Sequence, residues 1–250
     1  MDRNEAVLRE LNLYPLWQRR GEPAPATTVA APAAVPAAPP AVAEPPRAAP
    51  AVTENGEQGR EQRIGELDWT QLKAMVRDCT ACKLRAGCTQ TVFGVGDEQA
   101  EWLFVGEGPG ADEDAQGEPF VGQAGKLLDN MLLAIKLRRG KNVYIANIVK
   151  CRPPGNRTPE ADEIATCLPY LKRQIELIKP KLIVALGKTA ATALLERDAT
   201  LGSLRGKLHD FNGIPLIITY HPAYLLRSPM EKAKAWQDLC LAVRTRHGGA

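Results

Sequence analysis

From Leu67 onward the chain alternates between compact β-branched runs and helix-length amphipathic segments, and no other property narrows its fold as much. The runs lie at 102–105, 143–149, 182–186 and 214–219, and the helical segments cover about 68–78, 123–138, 160–178, 188–197 and 230–245. Strands separated by helices pair in parallel, so this order predicts an α/β fold with three layers, α/β/α, around a central four-stranded parallel sheet. Ligands on such sheets gather beyond the carboxyl ends of the strands. Four loops take that position here: Gly106-Glu-Gly-Pro-Gly110, Asn147-Ile-Val-Lys-Cys-Arg-Pro-Pro154, Gly187-Lys-Thr189 and Tyr220-His-Pro-Ala-Tyr-Leu-Leu-Arg227. Their convergence marks the candidate site.

The segment ahead of this rhythm has a different character. Residues 22–50 hold 9 prolines and 12 alanines, a composition that fixes backbone angles and removes donors without supplying a core. We read 21–63 as a disordered Ala/Pro-rich linker and 64–250 as the folded domain. Residues 1–20 stand apart as a short amphipathic segment: Leu8, Leu11, Leu13, Leu16 and Trp17 make an apolar set that suits a tethered partner-binding element or a frayed tail. No apolar run approaches the roughly 18 residues needed to cross a bilayer, and the amino terminus shows no signal-peptide pattern. The expectation is a cytoplasmic monomer.

The richest stretch runs from Gly106 to Gly125. Its glycines let backbone approach a ligand, Glu107, Asp112, Glu113 and Asp114 crowd four carboxylates together, and Phe120 offers a flat apolar face. A planar guest fits better than phosphate beside so many acids. Gly187-Lys188-Thr189 lacks the upstream glycine loop of an ATP site. Residues 64–250 carry 25 Lys+Arg against 21 Asp+Glu, a difference of +4. DNA binding would therefore need a local face, for which Lys150, Arg152, Arg157, Lys188 and Arg227 are the candidates.

Six cysteines in an intracellular chain point to metal or buried thiols. Cys79 and Cys82 form a Cys-x-x-Cys clip, and Cys151 with Cys167 forms a wider pair. Four thiolates suit a [4Fe-4S] cluster or a structural zinc. A Cys79/Cys82 redox dithiol is a third reading. Cys88 and Cys240 read as ordinary thiols, with Cys88 a possible substitute ligand for Cys82.

In order, Cys79-Thr-Ala-Cys-Lys-Leu84, Thr91-Val-Phe-Gly-Val-Gly96, the Gly106 loop with Gly117-Glu-Pro-Phe-Val-Gly122, Asn147-Ile-Val-Lys-Cys-Arg-Pro-Pro-Gly-Asn-Arg157 and His221-Pro-Ala-Tyr-Leu-Leu-Arg227 resemble the iron-sulfur, or fourth, family of uracil-DNA glycosylases over roughly 68–245. The resemblance implies an enzyme of base excision repair that flips uracil out of DNA and hydrolyses its glycosidic bond. It also implies a [4Fe-4S] cluster on Cys79, Cys82, Cys151 and Cys167.

The residues suit that chemistry. Asn147 carries a donor and an acceptor on one amide, complementary to uracil O4 and N3–H and mismatched to cytosine. Phe120 supplies the stacking surface for a flipped base. A neutral His221 can donate to uracil O2 as negative charge develops there, an effect of about 3 kcal/mol for an oxyanion-type donor. The best-known members of the superfamily place a water-orienting aspartate where this chain has Gly108, leaving Glu107 or a backbone-held water for that part. Glu113 could exclude the thymine methyl or cap a helix. Leu225, Leu226 and Arg227 are candidates to wedge into the minor groove. The related group that traps uracil covalently through a histidine carries a basic insertion that this chain lacks. The alternative is a non-catalytic, zinc-binding DNA- or nucleotide-binding protein.

Overall fold

The computed structural model describes residues 54–248; the amphipathic segment 1–20 and most of the linker lie outside them. Helix α1 (Glu54–Glu66) and α2 (Trp69–Arg77) lead into a 3-10 turn at Lys83–Gly87 and a short strand β1 (Val95–Gly96). Then come β2 (Trp102–Gly106), α3 (Ala111–Gln116), α4 (Gln123–Ala134), β3 (Val143–Asn147), α5 (Ala161–Ile178), β4 (Leu182–Leu186) and α6 (Lys188–Leu195). The domain closes with α7 (Leu201–Leu204), β5 (Leu208–Phe211), β6 (Ile214–Thr219), α8 (Pro222–Arg227) and α9 (Lys232–Arg246).

The sheet has six strands in the order β1-β3-β2-β4-β6-β5. The four predicted strands are its parallel interior: β2 lies between β3 and β4, with Trp102 opposite both Val143 and Leu182, and β6 joins β4. The edges β1 and β5 are antiparallel additions to the expected four. From β2 the chain moves to β3 on one side and then crosses to β4 on the other. The resulting switch point leaves a crevice between the loops that follow β2 and β4.

Alternation along the strands feeds two cores. Leu103, Val105, Tyr144, Ile183 and Ile218 face helices α1, α2, α5 and α6. Phe104, Val143, Ile145, Val184 and Ile217 face α4, α8 and α9. Burial on both faces explains why the interior strands read as continuous apolar runs. One boundary needs correcting. The polar residues 54–63, read as linker, belong to α1, and Ile64 near its end is buried in the first core. A polar helix gains little from its own propensity and is held by tertiary contacts.

Candidate active site

Three of the four loops at the carboxyl end of the sheet enclose one cavity of about 630 Å³ with part of the fourth, within the range that holds a small ligand. Its walls include Glu107, Gly108, Glu113, Phe120, Asn147, Lys188, His221 and Arg227, so most of the predicted site residues meet there. Past β3 the backbone continues the sheet's spacing: Ile148 and Val149 donate to the carbonyls of Gly106 and Glu107 at 2.9 and 3.1 Å. That pairing sets Asn147 beside the start of the glycine loop.

Asn147 is 2% exposed, and its Oδ1 is buried without a hydrogen-bond partner. An unpaired buried acceptor costs roughly 1–3 kcal/mol, so its position on a ligand-sized cavity is a strong pointer to a donor that arrives with the ligand. Gly106 makes room for it. A Cβ there would lie 2.5 Å from Asn147 Oδ1 and 2.6 Å from the Phe120 ring.

Phe120 adopts φ +57°, a left-handed conformation unfavourable for an aromatic residue. Two contacts hold it there. Arg139 donates to the Pro119 and Phe120 carbonyls at 2.9 and 2.8 Å and to Asp129 at 3.0 Å. Gly125 on α4 packs so closely that a Cβ would fall 1.8 Å from the Phe120 oxygen. Arg139 was missed from sequence, where it reads as one of several basic residues before a turn. The Phe120 ring stacks on His221 at 5.4 Å between centroids, with 29° between the planes.

His221 caps α8: its Nδ1 accepts from the Ala223 amide at 3.2 Å. An Nδ1 that accepts leaves the proton of a neutral ring on Nε2. Burial, then the nearby Arg227, pull the His221 pKa down to about 4 against the opposing Glu113. The ring is therefore a neutral donor at physiological pH.

The two candidate carboxylates have different duties. Glu113 accepts from Gly110 N at 3.0 Å, Val121 N at 2.9 Å and Gly122 N at 3.2 Å, tying both ends of the glycine loop as a cap. Glu107 accepts from the hydroxyl of Thr189 across the switch point. At Gly108 a Cβ would lie 2.8 Å from Val149 Cγ2, so an aspartate at that position would require Val149 to move.

Two predicted DNA contacts are corrected by burial. Lys150 is 1% exposed; its Nζ donates to the Asn147 carbonyl at 2.9 Å and to Gln174 Oε1 at 2.6 Å. Burial, opposed by Cys167, lowers its pKa to about 8. It braces the strand end and is closed off from phosphate. Leu225, 1% exposed, packs in the second core, whereas Leu226 beside it is 44% exposed. A six-residue helix turns neighbouring side chains about 100° apart, a distinction invisible without knowing which face is covered. Arg157, which lines the cavity, is engaged by Glu163 at 2.7 and 2.8 Å. Arg152 bonds the cavity-lining Asn156 at 2.7 Å, and Lys188 pairs with Asp198 at 3.0 Å. Tyr224, unassigned from sequence, also lines the cavity and stacks on Tyr220 at 5.2 Å.

On the other side of residues 147–151, Cys79, Cys82, Cys151 and Cys167 line one small apolar cavity. The Lys150 amide donates to Cys167 Sγ at 3.2 Å. Burial raises the Cys82 and Cys151 thiols and pushes Cys167 up to about 11. Among the described residues, no three His, Cys, Asp or Glu side chains converge as ligands to a single ion. The donor set, four thiols around one apolar cavity, nevertheless fits a thiolate-bound metal or cluster.

Residues 93–240 match the family model of the Uracil DNA glycosylase superfamily. Among curated relatives, the Type-4 uracil-DNA glycosylase of Pyrobaculum aerophilum is 42% identical over 70% of this chain and 93% of its own length. That of Archaeoglobus fulgidus is 46% identical over 65% and 85%. The Thermotoga maritima protein of the same name is 47% identical over 61% and 80%. A Type-5 uracil-DNA glycosylase of Pyrobaculum aerophilum is more distant, 32% identical over 52% and 64%. With its motif loops gathered on one cavity and its relatives aligned along most of their length, the chain belongs to the type-4 branch of the uracil DNA glycosylase superfamily.

Proposed function

We propose that the protein excises uracil from DNA, hydrolysing the bond between C1′ and N1 to release the free base and leave an abasic site for repair. The observation that carries this reading is the orphaned Oδ1 of Asn147 on the cavity wall. Uracil N3–H supplies the missing donor and O4 accepts from the same amide, whereas cytosine presents an acceptor and a donor in the reverse places. Phe120 stacks on the flipped ring. As the bond breaks, electrons move onto uracil, and His221 Nε2–H stabilises the charge at O2 without giving up a full proton. Water attacks the positively charged sugar carbon, losing to solvent a proton that balances the one the uracil anion takes up, and Glu107, steadied by Thr189, is the group we assign to orient it. Glu113 serves the loop.

Phosphate contacts fall to Arg227 and Lys188, which line the cavity, and to Arg152, which bonds the lining residue Asn156, and the exposed Leu226 and Met230 replace Leu225 as the wedge. For the four cysteines we propose a [4Fe-4S] cluster; the support is the four thiol donors brought together around one apolar cavity, in a chain of the type-4 branch. Cys79 and Cys82, Cys151 just past β3 and Cys167 on α5 would hold it, which would tie those three segments together. Its part is structural, and no catalytic step runs through it. On this reading the protein works as a cytoplasmic monomer; no helix among the described residues is long and apolar enough to cross a membrane.

Base release from an oligonucleotide bearing one deoxyuridine, beside a thymine control, tests the proposal on anaerobically purified protein with its iron content and visible spectrum recorded. Release at uracil alone by a brown, iron-loaded protein is expected. No release from a colourless, zinc-loaded protein would leave the binding-module reading instead.

A further inference from the structure

We propose that Arg60, on a helix that precedes the part of the chain matching the family model, is an outer hydrogen-bond donor to the four-cysteine site and makes α1 a clamp against loss of the bound cluster. The inference rests on the cluster reading above.

The geometry is specific. Arg60 Nη1 donates to the carbonyl of Thr166 on α5 at 2.8 Å, 106 residues away in sequence. Its guanidinium carbon lies 4.9 Å from the centre of the Tyr170 ring. Thr166, Tyr170 and Cys79 all line the cysteine cavity. Arg60 Nη2 is buried without a hydrogen-bond partner. Arg60 and Tyr170 thus meet at the edge of the cavity that Cys79 also lines.

Binding a metal group removes the thiol proton and leaves negative sulfur. The donor then has an acceptor, and the positive charge offsets the charge of the loaded site. Outer hydrogen bonds of this kind orient ligands and hold metal. The anchor is separable from the donor, because α1 is also fixed by Ile64, 1% exposed in the first core.

The test compares full-length wild type, R60M, R60K and I64A, each loaded with iron under anaerobic conditions. The readouts are bound iron per chain and the rate at which a ferrous chelator bleaches the visible band. R60M is expected to release iron roughly tenfold faster, the low end for loss of an outer-shell partner, with R60K between it and wild type. I64A, which loosens the helix but keeps the guanidinium, is expected to release iron less than R60M at equal loss of thermal stability. R60M releasing iron at the wild-type rate, or no faster than an equally destabilised I64A, would overturn the proposal while leaving the cluster intact. A wild type that takes up no iron would instead overturn the cluster reading, and this inference with it.

Discussion

Residues 147 and 151 sit at opposite walls of the molecule's two working regions. Asn147 faces a ligand-sized cavity and leaves an acceptor unpaired; Cys151 lines a small apolar one together with Cys79, Cys82 and Cys167. Lys150 between them is buried and spends its ammonium on the Asn147 carbonyl and Gln174. The difference separates recognition from bracing. A ligand site keeps polar groups unsatisfied until the ligand comes, whereas a structural site converts its surroundings into support for the strand end that carries the ligand site.

That separation can be broken by substitution. Asn147→Ala removes the reader without touching the cysteines, so single-turnover uracil release should fall about 10³-fold, with bound iron per chain unchanged. Loss of iron in this variant would show that the two regions are not separable. Leu225→Ala, in the second core, should cost about 3 kcal/mol of unfolding free energy in urea, while Leu226→Ala should leave stability unaltered and weaken binding to uracil DNA. Equal stability losses would return Leu225 to the surface.

His221→Ala should slow release about 10²-fold. In the wild type the rate should stay level as the pH drops past 6.5 and decline only through about 4, because the folded ring resists protonation. The unfolded histidine takes its proton near 6.5 and the folded one near 4, so His221's contribution is complete above pH 6.5 and shrinks as the pH falls toward 4. A rate break at 6.5 would mean a solvated, titrating ring. The smallest effect concerns charge: Arg227→Gln should reduce the salt slope of DNA binding by about 0.9, whereas Lys150→Met should leave it unchanged.

Much of this arrangement was legible in the chain. The four interior strands announce themselves because burial on both faces demands unbroken apolar runs. The glycine loop and the Asn147, His221 and cysteine motifs lie where strand ends must fall. The edge strands escaped for physical reasons. β1 is two residues long, and β5 is mostly exposed and polar in pattern, although the Asn212-Gly213 pair between β5 and β6, both with positive φ, is a hairpin turn that the sequence does carry. Lys150 and Leu225 misled because a residue type states a preference for water or core, and only packing states the outcome. Arg139 and Arg60 could not be found at all from local pattern. Each acts on a partner distant along the chain, the Phe120 carbonyl and the edge of the cysteine cavity.

The central claim is that Asn147 Oδ1 waits for uracil N3–H. Inhibition of base release by free uracil and by 3-methyluracil, which lacks that hydrogen, tests it most directly. Uracil should inhibit and 3-methyluracil should not at the same concentrations; equal inhibition by both would contradict the account.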